Sequence, residues 1–450
     1  LAACLLVPGQ SVIHNCPDLS DVAATLDILR LLGCQADREG DTVVIDATAL
    51  SRWDIPEHLM REMRSSVILL GALLARLGTA ELSYPGGCEL GPRPIDLHLS
   101  ALRALGAEIL EEQGALCCRG NSLRGREVCL SIPSVGATEN AMLTACGCPG
   151  LTTIVGAAQE PEIVDLQNFL LAMGARISGA GTPAISVQGG VALHPAQYRV
   201  MGDRIAAATY LCAAAAARGE IELTGVPPET LTAVLSCLEE AGCTLHTGPD
   251  RIALACAAPL RGISHVRTAP YPGFPTDGQA ILMAALAGGE GATLFVENIF
   301  DARYRHVDEL RRMGADIQLA GRAAMVSGVG RLHGAAVRST DLRGGAHPGV
   351  GAAAHPPGLS GAGQKSADPG CGHSGAAIRK TSAPKREPGG SRLERTSNGA
   401  ERMPGESRAE QSEVWEDDMS RYSHRNRTRR RNRGRFGPLF KLLCIIAVVV

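Results

Sequence analysis

One pattern recurs along this chain: a helix-spaced run of apolar residues, a glycine, then two short alternating segments separated by a tight turn. The runs LDILRLLG, LSALRALG, LQNFLLAMG, VLSCLEEAG and VDELRRMG place that glycine at Gly33, Gly106, Gly174, Gly242 and Gly314. In each run apolar positions fall three or four apart, as do Val22, Leu26 and Leu29, or Ile163, Leu166, Leu170 and Met173. This predicts helices with one buried face. The glycine stands where a helix end needs a left-handed residue. Turn sequences such as Arg38-Glu39-Gly40-Asp41 and Thr247-Gly248-Pro249-Asp250 predict hairpins beyond it. Successive glycines are 73, 68, 68 and 72 residues apart, so the chain reads as five copies of a βαβ-type unit with an added hairpin. That period is too long for the common solenoids and predicts a globular α/β assembly around buried helices. A sixth copy is expected after residue 345, and none follows. Residues 1–7 are apolar, too short to span a bilayer, and read as a helix end whose beginning is cut away.

After Gly345 the pattern stops. Residues 346–418 are rich in Gly, Pro, Ser, Arg and Glu and are expected to be disordered, since they cannot bury enough surface to offset chain entropy. Residues 419–450 form a basic segment plus a partial apolar anchor: eight arginines in MSRYSHRNRTRRRNRGRFGP, then LFKLLCIIAVVV. Basic residues followed abruptly by apolar ones resemble the flank of a membrane anchor more than a nucleic-acid arm. The uninterrupted apolar run 442–450 has nine residues, about half a bilayer span. A frameshift after Gly345, running into a neighbouring membrane-protein gene at Met419, explains both changes; a genuine disordered tail is the alternative. Membrane contact is expected only if the apolar segment is genuine, and no nucleic-acid partner is expected.

Aromatics make up 3% of the 450 residues against 45% apolar, so the core must be built from Leu, Ile, Val and Ala. The net charge of -2 averages unlike regions and points to no polyanionic partner. Fifteen cysteines without a disulfide-module spacing, and no secretory signal, read as reduced thiols of a cytosolic protein. Cys146 and Cys148, and adjacent Cys117 and Cys118, have no second pair at zinc spacing and read as small core residues.

Polar residues in apolar, glycine-rich surroundings mark candidate chemistry. Arg64 heads a strongly apolar helix, where the macrodipole disfavours a cation unless an anion shares the site; a solvated surface residue is the alternative. Cys88 lies in a Gly-Gly-x-x-x-Gly-Pro loop with Arg93 five residues on and His98 nearby. A thiol beside a guanidinium can act as nucleophile or proton donor, although loop cysteines are more often inert. Arg93 offers a planar fork suited to phosphate, and the free amides of residues 93–97 could meet an anion. Asp277 precedes an apolar helix and is a natural N-cap, worth about 1 kcal/mol. The segment from Ser134 to Thr138 is a glycine turn into a helix that could cradle phosphate or merely turn the chain.

Taken together, PGGCxLGxRPxDLH, SVGATEN, EPEIVDLQNFL, GDRIxAATYL, PGFPTDxQA and STDLR stand in the order and spacing of a known family. Over residues 1–345 the chain resembles the UDP-N-acetylglucosamine 1-carboxyvinyltransferase family, the enolpyruvyl transferases of peptidoglycan precursor synthesis. The resemblance implies an inside-out α/β barrel of two domains, each of three repeat units. Residues 1–200 would carry the Cys loop, and residues 201–345 an incomplete second domain. It implies phosphoenolpyruvate and UDP-N-acetylglucosamine as substrates, a cytoplasmic location, and no metal or organic cofactor. Cys88 would be the proton donor, also able to form an adduct with phosphoenolpyruvate, and Asp277 the base at the sugar 3-hydroxyl. Arg64, Arg93 and Arg343 match anion-binding or active-site arginines. Arg93, Pro94, Ile95, Asp96 and Leu97, with Ser134, Val135 and Gly136, match nucleotide-sugar contacts, and Ile299 an apolar sugar contact.

Three departures stand out. The family's early Lys-Asn pair would lie before Leu1, and the sixth repeat with its further arginine is absent. Ile132-Pro133 stand where some members have a Lys ahead of SVGAT. Little or no turnover is therefore expected of the chain as written. The alternatives are a non-catalytic nucleotide-sugar-binding relative and the 3-phosphoshikimate branch, which does not use a loop cysteine in a GGCxLGxRP setting.

Overall fold

The computed structural model describes residues 1–83, 95–112 and 114–338, and the short strand Ala377–Ile378. The chain divides into two compact units. All described residues belong to the first, Leu1–Lys380 with Pro438–Val450; the second, Thr381–Gly437, lies outside them.

All five repeat glycines adopt positive φ, between 89° and 103°, each at the end of a helix. At Gly33 and Gly106 a side chain is excluded twice over. A Cβ there would also lie 2.6 Å from the Ala49 carbonyl or 2.4 Å from the Ser122 carbonyl. A hairpin follows each glycine: Gln35–Glu39 with Thr42–Asp46, Glu108–Glu112 with Ala115–Arg119, Arg176–Ser178 with Ala184–Gly189, Thr244–Gly248 with Arg251–Ala255, and Asp316–Ala320 with Ala323–Ser327.

Each hairpin forms one side of its own four-stranded sheet, so five repeats give five sheets. The inner hairpin strand pairs antiparallel with a central strand such as Thr79–Ser83, Gly150–Val155 or Ala292–Val296. In these three sheets the central strand pairs in parallel with a short edge strand, Asp54–Ile55, Glu127–Cys129 or His265–Arg267. A parallel neighbour requires a crossover, and helices supply it: Leu69–Leu77, Val135–Gly147 and Thr276–Ala287. The sheet of the first hairpin instead takes its parallel edge from Gln197–Arg199, far along the chain. In the sheet built on Glu220–Thr224 the fourth strand is Ala377–Ile378, paired antiparallel. No sheet among the described residues closes into a barrel.

Two hydrophobic cores result. One gathers residues from Ala3 to Val187 and the other from Ile205 to Leu332, so the chain passes between them around the strand Gln197–Arg199. The crossover helices lie inside these cores and are built from small residues. Thr276–Ala287 is buried at every position from Gly278 to Ala287. A Cβ on Gly71 would lie 2.6 Å from the Asn140 carbonyl, and one on Gly147 would lie 2.8 Å from the Ala75 backbone. Pairing Gly71 with Asn140 and Ala75 with Gly147 makes these two helices run in the same direction, with their N-termini at one end. The opening apolar segment is a 3-10 turn, Ala2–Leu6, packed against Leu69–Leu77.

The twelve described cysteines are all free. Cys118, Cys146 and Cys148 are buried, and burial pushes the Cys146 thiol up to about 12, the behaviour of an inert core residue. Among the described residues no group of His, Cys, Asp and Glu could hold a metal ion, and no helix is long and apolar enough to cross a membrane. Apart from Ala377–Ile378, the readings made for residues 346–450 lie outside the described residues.

Candidate active site

Three of the candidate polar residues, Arg64, Ser134 and Asp277, share one place in the repeat, the N-terminal end of a buried crossover helix. Arg64 opens the 3-10 turn Arg64–Ile68 that runs into Leu69–Leu77; only its backbone is described. Ser134 caps Val135–Gly147, its Oγ accepting from the Ala137 amide at 3.4 Å. Asp203 caps Arg204–Ala216, accepting from the amides of Ile205 and Ala206 at 2.8 and 3.0 Å. Asp277 lies in the first turn of Thr276–Ala287. Helix N-termini carry a partial positive charge and unpaired N–H groups, so this arrangement suits anionic ligands.

In the first core, one buried amide organises the site. Asn140 is fully buried; its Oδ1 accepts from the Gly71 amide at 2.8 Å and its Nδ2 donates to the Val67 carbonyl at 3.0 Å. Nδ2 also lies 2.8 Å from His98 Nδ1, which makes that ring nitrogen the acceptor and places the proton on Nε2. The His98 ring lies against Gly136, where a Cβ would come within 2.7 Å of its Cε1. The start of Asp96–Ala104, with Ile95, Asp96 and Leu97, is thereby brought beside Ser134, Val135 and Gly136. Asp96 is exposed, Leu97 half-buried and Ile95 buried. Thr138 Oγ1 donates to the Ser134 carbonyl at 2.8 Å and accepts from the Ala158 amide at 3.0 Å, tying this turn to the segment ahead of Pro161–Ala172.

Asp277 is not the N-cap that its sequence position suggests. Pro275 takes that place with φ -68° and ψ 133°, so Asp277 falls inside the first turn. Its Oδ1 accepts from Arg303 Nη2 at 2.7 Å, in an ion pair whose arginine is 2% exposed and whose aspartate is 36% exposed. Nearby, Glu297 is 1% exposed. Its carboxylate accepts from the amides of Ile299 and Phe300 at 2.8 and 3.0 Å and from Thr276 Oγ1 at 3.1 Å. Ile299 is one of the few large apolar residues left exposed. His306 Nδ1 donates to the Arg303 carbonyl at 3.1 Å. Burial, with the Arg303 charge against it, brings the His306 imidazole down to about 4, so it stays neutral. Sequence reasoning missed Asn140, Glu297 and Arg303. The signal present was a polar residue inside an apolar run; the partners were not readable.

The motifs EPEIVD and GDRI meet where the two cores touch. Arg204 donates to Glu162 through Nε at 2.8 Å, and its guanidinium lies 5.8 Å from the Tyr271 ring centroid. The Tyr271 amide donates to Glu160 at 3.3 Å, and its hydroxyl donates to the Glu229 carbonyl at 3.0 Å. A small cavity here is lined in part by Arg204, Glu229, Tyr271 and Pro275, so the starts of Arg204–Ala216 and Thr276–Ala287 face the same space. Burial first, then the Glu162 charge, pushes the Glu139 carboxyl up to about 7. Cys88, Arg93, Pro94 and Arg343 lie outside the described residues.

Residues 1–352 match the family model of EPSP synthase (3-phosphoshikimate 1-carboxyvinyltransferase). UDP-N-acetylglucosamine 1-carboxyvinyltransferase 2 of Caldanaerobacter subterraneus subsp. tengcongensis is 50% identical over 345 residues, covering 77% of this chain and 83% of that protein. UDP-N-acetylglucosamine 1-carboxyvinyltransferase 1 of Symbiobacterium thermophilum is 47% identical over 349 residues, covering 76% and 79%. Among solved structures, the enolpyruvyl transferase NikO from Streptomyces tendae matches with a TM-score of 0.70 at 26% identity, covering 78% of this chain and 84% of that one. EPSP synthase from Acinetobacter baumannii matches with a TM-score of 0.57 at 21% identity, covering 78% and 86%, a likeness of fold alone.

Proposed function

The chain belongs to the UDP-N-acetylglucosamine 1-carboxyvinyltransferase family of enolpyruvyl transferases, and from that premise we propose how its residues divide the work. Its chemistry is enolpyruvyl transfer from phosphoenolpyruvate. The acceptor is the 3-hydroxyl of UDP-N-acetylglucosamine, and the observation that carries this choice is the 50% identity over 345 residues to a relative of that name. The family model alone, named for 3-phosphoshikimate transfer, would leave the acceptor open.

The nucleotide sugar lies along Arg93, Pro94, Ile95, Asp96 and Leu97 and the Ser134, Val135 and Gly136 turn, with Ile299 against the sugar. The adjacency of Ile95–Leu97 and Ser134–Gly136 through His98 and Asn140 supports this. Arg64, Arg93 and Arg343 hold anionic groups. Asp277 takes the proton of the 3-hydroxyl as its oxygen attacks C2 of the enolpyruvyl group, while Cys88 delivers a proton to C3. Loss of phosphate with a proton from C3 then restores the vinyl group. The Arg303 ion pair fixes the position of the Asp277 side chain. The two cores support a division into an inside-out α/β barrel with domains 1–200 and 201–345. Free thiols support a cytoplasmic setting.

The test is calorimetric titration of the chain with UDP-N-acetylglucosamine and then with shikimate 3-phosphate as competitor. Saturable binding that the competitor leaves unchanged is expected. Displacement would move the protein to the other branch, and failure of both ligands to bind would overturn the reading. Phosphate release from phosphoenolpyruvate, dependent on the nucleotide sugar and lost in Cys88→Ala, would add the catalytic step; binding without release would fit a non-catalytic relative.

A further inference from the structure

We infer that Glu297 is a positioning residue that sets the spacing between Asp277 and Ile299; the inference rests on the reading of those two residues as base and sugar contact. A carboxylate removed from water must be compensated in full. Among the described residues no ion pair reaches Glu297, which relies on hydrogen bonds from two segments only. From the loop beyond the strand Ala292–Val296 come the amides of Ile299 and Phe300. From the start of the Asp277 helix comes the Thr276 hydroxyl, 3.2 and 3.1 Å from the two carboxylate oxygens.

The loop is fastened on its other side as well. The Asn298 amide donates to Thr268 Oγ1 at 2.8 Å and its Nδ2 to the Thr268 carbonyl at 3.1 Å. Six residues after Glu297, Arg303 reaches back to Asp277. Two consecutive helix residues, Thr276 and Asp277, are thus gripped by two residues of one loop, Glu297 and Arg303, with Ile299 displayed between them. Arg303 meets the carboxylate that the reaction uses. Glu297 meets Thr276 and the amides of Ile299 and Phe300, so it acts by geometry. A shift of about 1 Å between such groups can lower catalytic efficiency about a hundredfold.

The experiment compares Glu297→Ala and Glu297→Gln in the full chain. It measures amide hydrogen exchange at Ile299 and Phe300, the Kd for UDP-N-acetylglucosamine, and thermal unfolding. The glutamine oxygen can still accept both amides, and its NH2 can donate to Thr276. Glu297→Gln is therefore expected to stay within about threefold of the parent Kd with protection intact, and Glu297→Ala to lose that protection and bind about tenfold more weakly. An alanine variant that folds with unchanged protection and Kd overturns the proposal. So does a glutamine variant that keeps protection yet binds as weakly as alanine, since charge would then be the cause. Should the alanine variant not fold, Thr276→Val decides: weaker binding beside an unaffected glutamine variant upholds the clamp, and unchanged binding overturns it. A parent chain that binds no nucleotide sugar refutes the functional reading, while the exchange data still judge the clamp.

Discussion

The two cores present equivalent helices to the site in opposite chemical styles. Val135–Gly147 begins at a serine cap and is organised by a neutral amide, Asn140, that meets only backbone groups and an imidazole. Thr276–Ala287 begins after a proline and is organised by charge, with Asp277 on Arg303 and a buried Glu297. A repeated fold thus supplies the same helix end twice. One becomes a neutral cradle and the other an ion pair; on the proposed reading the first serves recognition and the second proton transfer.

Asp277→Asn is expected to have the largest effect on that contrast, because it leaves Arg303 charged and nearly fully buried. A loss of about 3 kcal/mol in urea unfolding is expected, and more than for Arg303→Met, which leaves an aspartate that water can reach. Equal losses would mean the pair is not asymmetric as described. Asn140→Leu strands the Gly71 amide and the Val67 carbonyl, two buried groups, and should destabilise by about 2–4 kcal/mol. It should also weaken UDP-N-acetylglucosamine binding; a stable, fully binding Asn140→Leu variant would break the account of the first cradle.

pH should sharpen the comparison further. His306, near 4 in the folded state against 6.5, binds fewer protons native than unfolded, so its contribution is present above 6.5 and is lost as pH falls towards 4. Its full size is about 3 kcal/mol. Glu139, near 7 against 4.5, binds more protons native than unfolded, so its contribution is present below 4.5 and is lost as pH rises through 7. Hydrogen-exchange protection, taken relative to the intrinsic rate at each pH, should therefore fall around Arg303–His306 at pH 5 and in Val135–Gly147 at pH 8. His306→Gln and Glu139→Gln should each flatten one of these responses and not the other. The smallest effect is expected at the contact between the cores. Arg204→Lys keeps the charge but loses the stacked fork on Glu162 and Tyr271, and should lower stability by about 1 kcal/mol.

The helix ends that carry the candidate residues were legible in the sequence, and little of the wiring around them. Ser134 was placed correctly at a helix start, and Arg64 at the head of an apolar helix, because caps and periodicity are local signals. Asp277 reads in the sequence as the N-cap but stands two positions past it, because Pro275 takes the capping position. Arg303 stood in the sequence as one arginine among several, and Glu297 as one acid in a strand end. Their roles come from partners 26 and 21 residues away.

By itself the sequence determined the five repeats, their hairpins and the glycine ending each helix, since these follow from side-chain period and backbone sterics within a few residues. Only the tertiary structure decided that Gln197–Arg199 completes the first sheet, that Gly71 lies against Asn140, and that Glu297 joins Thr276 to Ile299. Those choices depend on which buried surfaces meet and which buried polar groups must find partners, and no local pattern encodes a partner chosen across the core.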